Sequence, residues 1–298
     1  MTSTRAALTP SSAHGALRQA CQDVGLDPQG ATLLRMGENA IYRTADDIVV
    51  RIGRSQDASE KEVRVANWLA DAKFPSVRLA RLPQAVVAHG FTVTFWETIH
   101  ESAPEPSSAD LAFILRKLHE LPSAETLRLP SFRPLPKVRQ RLRELPEGAL
   151  PVGDMDFLLS RCEGLEEDFR ELSFDLPLGV IHGDAHPGNL MRRQDSSVCL
   201  IDFEDFSWGP REWDLAVTAT RYQGFGWVSR SEYDEFVEVY GFDALKWTGY
   251  PTIRAIRELN MATWLMQQNG QSRRVDAEIR KRIADLRNNQ FPRSWQVF

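Results

Sequence analysis

The chain has 298 residues, of which 42% are hydrophobic, and a formal net charge of −5 at pH 7. This length and hydrophobic fraction suffice for one large domain or two lobes with hydrophobic cores, and the acidic balance argues against nucleic acid as the main partner. The three cysteines are widely spaced and form no C-x-x-C motif, the N-terminus lacks the apolar core of a signal peptide, and no apolar run is long enough to span a membrane. We therefore expect a cytoplasmic protein with no membrane partner.

The N-terminal third of the chain has the pattern of an antiparallel sheet with one main helix. A first helix is expected over about residues 13–25, with Ser11 or Ser12 as its N-cap. A second, amphipathic helix is expected over 58–72. Runs of β-branched and aromatic residues between turn residues predict strands at 31–36, 40–44, 48–52, 85–88 and 91–99.

The pattern changes after Glu97, where residues 100–108 are polar and rich in proline. Ser107 or Ser108 can cap a helix that runs to Leu121. Further helices are expected at 134–145, 152–172, 211–223, 231–240, 251–268 and 274–288, and short apolar strands at 179–182, 189–192 and 198–202. We therefore predict an α+β fold with an N-terminal lobe at residues 1–97 and a mostly helical C-terminal lobe at residues 98–298.

The candidate catalytic residues lie in His182–Asn189, with the sequence HGDAHPGN, and in the later segment Ile201-Asp202-Phe203. An aspartate and an asparagine five residues apart on one loop can divide two tasks. Asp184 can accept a proton from an attacking hydroxyl, while Asn189 can bind a magnesium ion. Asp202 would then complete the site for metal ions that bridge the β- and γ-phosphates. The spacing predicts a magnesium-dependent phosphotransferase that uses ATP or GTP.

Two segments, VIHGDAHPGNL and LIDFEDFSWGPREWDLA, resemble the aminoglycoside phosphotransferase family, which also contains choline, homoserine and methylthioribose kinases. GENAIYR (37–43), IVVRIGR (48–54) and KEVRVANWLA (61–70) are similar to the N-terminal half of that family, so the resemblance covers roughly residues 30–270. It implies a two-lobed, protein-kinase-like fold with a nucleotide-binding N-terminal lobe. It also implies transfer of the γ-phosphate to a hydroxyl of a small acceptor, such as an antibiotic, an amino sugar or a related metabolite.

The resemblance also implies which residues bind the nucleotide. Arg51 takes the place of the lysine that binds the α- and β-phosphates in kinases, with Glu62 as its ion-pair partner. Gly37 and Asn39 would belong to a phosphate loop, and Phe95, Trp96 and Glu97 would contact the base. Two alternatives are that Arg51 and Glu62 form only a surface ion pair, and that residues 37–39 form an ordinary hairpin turn.

The acceptor is expected to contact aromatic and charged residues of the C-terminal lobe. The candidates are Trp208, Glu212, Trp213, Arg221, Tyr222, Phe225, Trp227, Glu258 and Trp264. Glu204 is a further candidate, for contact with metal or substrate. The alternatives are that most of the aromatic residues are core residues and that Glu204 belongs to a solvated acidic face. The C-terminal sequence NNQFPRSWQVF is not acidic, which argues against a polycationic aminoglycoside as the acceptor.

Two other functions remain open at this point. The sequence HGDAH also has the H-x-D-x-H pattern of a zinc metallohydrolase, although a zinc site would leave Asn189 and Asp202 without a role. A kinase-like protein with weak catalysis that binds a nucleotide or a small molecule is the second alternative. By resemblance, Asp214 would hold the catalytic loop by accepting backbone hydrogen bonds, and we expect His182 and His186 to have structural roles.

Overall fold

The computed structural model describes residues 7–122 and 127–298. Residues 1–6 of the predicted N-terminal lobe and residues 123–126 of the predicted C-terminal lobe therefore lie outside the described residues. The chain divides into two compact units. The first unit comprises the described parts of Met1–Asp110, Glu120–Leu129 and Pro187–Phe206, and the second comprises Leu111–His119, Pro130–His186 and Ser207–Phe298. The lobe boundary near residue 97 stays a prediction.

The first unit is built on a five-stranded antiparallel sheet with the strand order β1-β2-β3-β5-β4. Its elements are α1 (Pro10–Val24), β1 (Thr32–Met36), β2 (Ala40–Arg43), β3 (Ile48–Gly53), α2 (Gln56–Asp71), β4 (Val86–Ala88), β5 (Phe91–Glu97), β7 (Leu190–Arg192) and β8 (Val198–Leu200). The predicted strands agree with these within two residues at either end. The predicted cap of α1 was wrong, because Thr9 is the N-cap and Ser12 is the third helical residue of a capping box.

One face of this sheet forms a hydrophobic core with α1. Ala16 and Leu17 of the helix pack in one cluster with Val50 and Ile52 of β3 and with Phe95 of β5. Because successive side chains of a strand point to opposite faces, Arg51 lies on the face of β3 away from this core. The sheet thus holds an arginine on a rigid central strand, paired with Thr94 across β5.

The strands β7 and β8 form a hairpin in which Leu190 pairs with Leu200. Ile201 donates its backbone N–H to the carbonyl of Asn189 at 3.0 Å, which extends the pairing by one step beyond the strands. The hairpin adjoins the rest of the first unit through a bridge between Ser76 and Leu200. Asn189 and the residue that precedes Asp202 are therefore neighbours at the open end of the hairpin.

The second unit is mostly helical. Its elements are residues 111–119 of α3 (Ser108–Glu120), then α4 (Pro136–Glu144), α5 (Val152–Arg170), β6 (Leu178–Ile181), β9 (Ser207–Pro210), α6 (Glu212–Ala219), α7 (Arg230–Tyr240), α8 (Tyr250–Met266) and α9 (Arg273–Arg287). The long helix α8 packs against α4, α5, α6 and α9. It buries apolar residues such as Ile253, Ile256 and Leu259. Throughout the described residues, no helix has the length and the apolar sequence that a membrane crossing needs.

Two features of the second unit differ from the predicted elements. Strand β9, which pairs with β6, was not predicted because its sequence SWGP contains a glycine and a proline. A side chain at Gly209 would meet Phe132, since a Cβ built there lies 2.5 Å from the Phe132 Cβ. The helix predicted over 211–223 ends earlier: α6 stops at Ala219 and continues as a π-helical turn, Thr220–Gly224.

Candidate active site

In the first unit, the guanidinium of Arg51 is surrounded by three carboxylates. Its Nη1 lies 2.8 Å from Glu62 Oε2 and 3.4 Å from Asp202 Oδ1, and its Nη2 lies 2.9 Å from Glu204 Oε2. The structure therefore forms the predicted Arg51–Glu62 pair. The pair is not a surface pair, because the two side chains are only 14% and 5% exposed. Sequence reasoning did not foresee that Asp202 and Glu204 join the same cluster.

The cluster around Arg51 holds more negative than positive charge. This excess shifts the pKa values of Glu62 and Arg51. Burial, together with the charges of Asp202 and Glu204, raises the pKa of Glu62 to about 7 against the opposing effects of Arg51 and Lys61. For Arg51, burial on its own lowers the pKa, but the three carboxylates outweigh burial and raise the pKa above its usual value. A site of this kind favours an additional cation.

Asn39 and Lys61 extend this cluster. The Asn39 amide donates to Glu204 Oε2 at 3.2 Å, and the Lys61 ammonium donates to the backbone carbonyls of Glu204 and Phe206. Lys61 was not among the predicted site residues. The N–H of Gly37 donates to the carbonyl of Asn39 at 3.0 Å, so it is used inside the hairpin turn. Asn39 therefore lies in the cluster, whereas the N–H of Gly37 has a partner within the turn.

Asn189 and Asp202 supply oxygen atoms at the open end of the β7–β8 hairpin. Asp202 has a left-handed backbone conformation with φ of 61°, which is uncommon for a residue other than glycine and is often found at functional sites. Its side chain is 42% exposed. A carboxylate and an amide oxygen fit the preference of magnesium, which proteins usually bind through one or two carboxylates together with phosphate oxygens.

Two of the three residues expected to contact the base, Phe95 and Glu97, have backbone N–H groups with other partners. The Phe95 ring is fully buried in the core beneath the sheet. The Phe95 N–H donates to Gln84 Oε1 at 2.9 Å, and the Glu97 N–H donates to the carbonyl of Arg78 at 2.9 Å. Neither N–H can bind a base without displacing its present partner, so contact of Phe95 and Glu97 with the base stays a prediction.

In the second unit, the candidate catalytic loop begins at His182, directly after β6. It is held by Asp214 of α6. The carboxylate of Asp214 accepts the backbone N–H groups of His182 at 2.7 Å and of Gly183 at 2.9 Å, which confirms the predicted anchoring bonds. His119 Nε2 lies 3.1 Å from the same carboxylate. On the other side of the loop, the Trp213 Nε1–H donates to the carbonyl of Gly183 at 2.7 Å. The start of the loop is thus held at successive peptide groups.

Asp184 is positioned by two basic side chains. Arg257 Nη2 of α8 lies 3.4 Å from Asp184 Oδ1, and His186 Nε2 lies 3.6 Å from Asp184 Oδ2. Burial on its own raises the pKa of Asp184, but the hydrogen bond and charge of His186 and the charge of Arg257 outweigh burial and lower the pKa well below its ordinary range. The Asp184 side chain is nevertheless 48% exposed. Asp184 is therefore an accessible carboxylate that stays ionised at neutral pH.

Asp184 and His186 line a cavity of about 160 Å³ in the second unit. Its other lining residues come from α6, the π-turn and the segment after it, and α8; they are Val217, Thr220, Arg221, Phe225, Trp227, Arg257 and Met261. Arg221, Phe225 and Trp227 were among the candidates for acceptor contact, whereas Arg257 and Met261 were not. The helical pattern of α8 alone does not indicate which of its polar residues faces a cavity.

Other candidates for acceptor contact do not line this cavity. Glu212 is completely buried and accepts the backbone N–H of Leu176 at 2.7 Å, and Tyr222 stacks on Tyr233. Trp208 on β9 and Trp264 on α8 are partly exposed but do not line the cavity. Glu204 lies in the Arg51 cluster. An acceptor role for these residues stays a prediction.

No group of three His, Cys, Asp or Glu side chains that could hold a metal ion occurs within residues 7–122 and 127–298. His182 is buried, and its Nδ1 accepts the backbone N–H of Asp184 at 3.3 Å. This contact within the loop is the structural role expected for His182. His186, in contrast, contacts the Asp184 carboxylate itself.

Comparison with known proteins identifies the family and the fold of the chain. The phosphotransferase enzyme family matches residues 33–256, whereas a search of curated proteins gave no match. The solved structure of amicoumacin kinase hAmiN with AMP-PNP, Ca²⁺ and Ami is similar, with a TM-score of 0.73, 14% sequence identity and 94% of each chain covered. The predicted α+β, protein-kinase-like fold is thereby confirmed.

Two further structures are similar. For a choline/ethanolamine kinase family protein from Mesorhizobium loti, the TM-score is 0.61 at 19% identity, with 91% of this chain and 93% of that chain covered. For the GDP complex of aminoglycoside 2'-phosphotransferase-IIIa, the TM-score is 0.61 at 15% identity, with 93% of this chain and 97% of that chain covered.

Proposed function

Since the chain belongs to the phosphotransferase enzyme family, we propose that it transfers the γ-phosphate of ATP or GTP to a hydroxyl group of a small molecule. The observation that carries this proposal is the accessible, ionised carboxylate of Asp184, which lines a cavity and is held by Arg257 and His186. Two of the similar structures support use of a nucleotide, because one contains AMP-PNP and the other contains GDP. The similar structures include amicoumacin kinase and a choline/ethanolamine kinase family protein, so they support a small acceptor without favouring one class of compound.

In the proposed reaction, the acceptor hydroxyl donates a hydrogen bond to Asp184. A new bond forms between the acceptor oxygen and the γ-phosphorus, the bond from that phosphorus to the β–γ bridging oxygen breaks, and the nucleoside diphosphate leaves. The hydroxyl proton passes to Asp184 and then to solvent. The low pKa of Asp184 makes it a weak base, which suits phosphoryl transfer, because the loose transition state depends more on positioning and electrostatics than on early proton removal.

Asn189 and Asp202 are proposed to bind magnesium through their side-chain oxygens, and Arg51 is proposed to bind the α- and β-phosphates. Magnesium, when bound, supplies positive charge that offsets the charge on the phosphate oxygens. The oxygen donors at the end of the β7–β8 hairpin and the excess of carboxylates around Arg51 support the magnesium site. The charge that Arg51 keeps beside that site supports its phosphate-binding role. Glu62 would keep Arg51 in place.

The test is magnesium-dependent release of ADP or GDP on addition of an acceptor, measured with a panel of aminoglycosides, nucleoside antibiotics, amino sugars, choline and homoserine. We expect Asp184→Asn to lower the turnover rate by ~10²–10⁴ and to change nucleotide affinity by no more than severalfold. Asp234→Asn is the matched control, because Asp234 lies on α7 in an exposed ion pair with Arg230. Wild-type kcat in the Asp184 variant would refute its role.

Two outcomes would favour the alternatives. Nucleotide binding without any magnesium-dependent turnover would identify a kinase-like binding protein. Stoichiometric zinc in the purified protein, together with hydrolase activity that a chelator abolishes, would identify the metallohydrolase.

A further inference from the structure

The cavity next to Asp184 carries an excess of positive charge. Its lining contains two arginines, Arg221 and Arg257, against one carboxylate, Asp184. The described lining residues therefore sum to one positive charge before His186 is counted. Phe225 and Trp227 supply apolar surface beside these groups. A cationic acceptor would be repelled by the arginines, whereas an anionic group would be attracted to them.

Arg221 is held by the π-turn at Thr220–Gly224, a type of turn that is frequent at functional sites. Its backbone carbonyl accepts the N–H of Trp227 at 2.8 Å, and its guanidinium carbon lies 5.5 Å from the centre of the Trp227 ring. The turn itself is held from the C-terminal segment, since the Arg293 N–H donates to the carbonyl of Gly224 at 2.7 Å. The position of Arg221 is therefore fixed by contacts that do not use the guanidinium N–H groups.

The guanidinium of Arg221 lacks a hydrogen-bond acceptor for one of its N–H groups. Its Nε is buried and has no hydrogen-bond partner among the described residues. Burial lowers the pKa of Arg221, and the like charge of Arg257 lowers it further against the opposing effect of Glu232. An arginine nevertheless keeps its proton in proteins. A buried, charged donor without a partner is costly, and a carboxylate or phosphate has the geometry to satisfy it.

Arg257 has a different environment, because it contacts Asp184 at 3.4 Å and its guanidinium lies 5.3 Å from the centre of the Trp213 ring. It therefore links the carboxylate that would hold the acceptor hydroxyl to the positively charged side of the cavity. A single small molecule that bears a hydroxyl and an anionic group would match both sides.

We propose that the acceptor of this phosphotransferase is an anionic hydroxy compound, whose carboxylate or phosphate group is bound by Arg221 beside Arg257 while its hydroxyl is presented to Asp184. This inference rests on the proposed function. A cavity of about 150 Å³ admits a guest of the size of benzene, so the 160 Å³ found here suits a small acid or one ring of a larger molecule. Polycationic aminoglycosides are the wrong charge for this cavity.

The experiment uses two sets of four compounds. The members of a set share one scaffold and differ in the charge that they carry. The glycerol set contains glycerate, glycerol phosphate, glycerol and aminopropanediol; the glucose set contains glucuronate, glucose phosphate, glucose and glucosamine. Turnover is measured as magnesium-dependent release of ADP or GDP, and binding is measured by the tryptophan fluorescence of the full chain. We expect the anionic members of at least one set to bind and to react at least tenfold better than the neutral member. The carboxylate and phosphate members show which anion is preferred.

Arg221→Met identifies the group responsible. It should raise the KM of the preferred anionic compound about ten- to hundredfold and leave the KM of the nucleotide unchanged. Arg221→Lys should restore part of the preference, because it keeps the charge but loses the planar pair of donors. Arg280→Met is the control, since it removes an arginine whose side chain is exposed on α9 and should leave the preference intact.

The outcomes separate this inference from the proposed function. Equal or better binding of the neutral or amine members in both sets would overturn the inference, as would an Arg221→Met variant in which the nucleotide KM rises instead. Turnover restricted to neutral or cationic acceptors would refute the inference but support the phosphotransferase. Binding of anions that depends on Arg221, without nucleotide turnover, would support the anion site and refute the proposed reaction.

Discussion

By the family resemblance, Arg51 would take the position of the protein-kinase lysine, and its surroundings are compatible with the phosphate binding that we propose. Its two terminal nitrogens reach Glu62, Asp202 and Glu204, which a single ammonium group could not do with the same directional bonds. The guanidinium keeps its charge while nearly buried. Arg51 can therefore organise the carboxylates of the first unit and retain donors for a phosphate.

Removal of Arg51 should affect the nucleotide and not the acceptor. For Arg51→Ala we expect a ten- to hundredfold rise in nucleotide KM, because charge-assisted hydrogen bonds are worth roughly 1.5–3 kcal/mol. Glu62→Ala should give the same change more weakly, since Glu62 contacts Arg51 and is proposed only to orient it. Steady-state kinetics with each substrate varied in turn would measure both effects.

The Arg51–Glu62 pair also has a stringent control. The double variant should be non-additive, because the two side chains act as one unit. Arg54→Ala removes an exposed arginine just after β3 and should leave both KM values unchanged. Additive effects, or a rise in the acceptor KM, would show that β3 does not bind the phosphates.

At the scale of elements, Asp214 connects helix α6 to the loop after β6. A buried carboxylate with no measurable exposure accepts two successive backbone N–H groups and contacts His119. His119 Nδ1 in turn lies 2.8 Å from the hydroxyl of Tyr240 at the end of α7. The conformation of the catalytic loop thus depends on α3, α6 and α7 together.

Asp214→Asn should loosen this loop, because the new amide group turns a donor toward one of the backbone N–H groups. Leaving a buried donor without a partner costs about 1–3 kcal/mol, and we expect a loss of unfolding free energy in that range, measured by urea denaturation. The value of kcat should fall, while the nucleotide KM stays close to wild type. Asp234→Asn, on the exposed face of α7, is the reference; equal stability of the two variants would contradict an anchoring role for Asp214.

In the molecule as a whole, the candidate catalytic segment His182–Asn189 contributes to both compact units, since the division falls between His186 and Pro187. The base candidate Asp184 belongs to the second unit and the metal-ligand candidates Asn189 and Asp202 belong to the first. Each unit therefore carries a distinct part of the proposed chemistry.

Magnesium–nucleotide should stabilise the folded protein through Asp202. A ligand at a hundred times its Kd adds about 2.7 kcal/mol to the unfolding free energy, which corresponds to a rise in Tm of about 4 °C for a chain of 298 residues. Asp202→Ala should remove most of the magnesium-dependent part of this rise, as should a chelator added to the wild type. Asp195→Ala changes the exposed turn between β7 and β8 and serves as the control. A full thermal shift in the Asp202 variant would contradict its role as a metal ligand.

The features that depend on local order could be predicted from the sequence. The five-residue spacing of Asp184 and Asn189 and the apolar patterns of strands and helices lie within short segments, so they could be recognised without a structure. The α+β fold followed from these patterns and from the family resemblance. The predicted ends of elements deviated where a short-range signal had several solutions, as with Thr9 instead of Ser11 or Ser12 as the cap of α1.

Contacts between residues far apart in the chain depend on the tertiary structure. Arg257 reaches Asp184 from 73 residues farther along the chain, and Glu204 reaches Arg51 across 153 residues. Strand β9 is stabilised by its pairing with β6 against the preferences of its own sequence, and the π-turn places Arg221 in a cavity that a regular helix pattern does not predict. Side-chain type indicates what a residue can bind, but long-range packing determines which residues share a cavity, and that information is not contained in any local pattern.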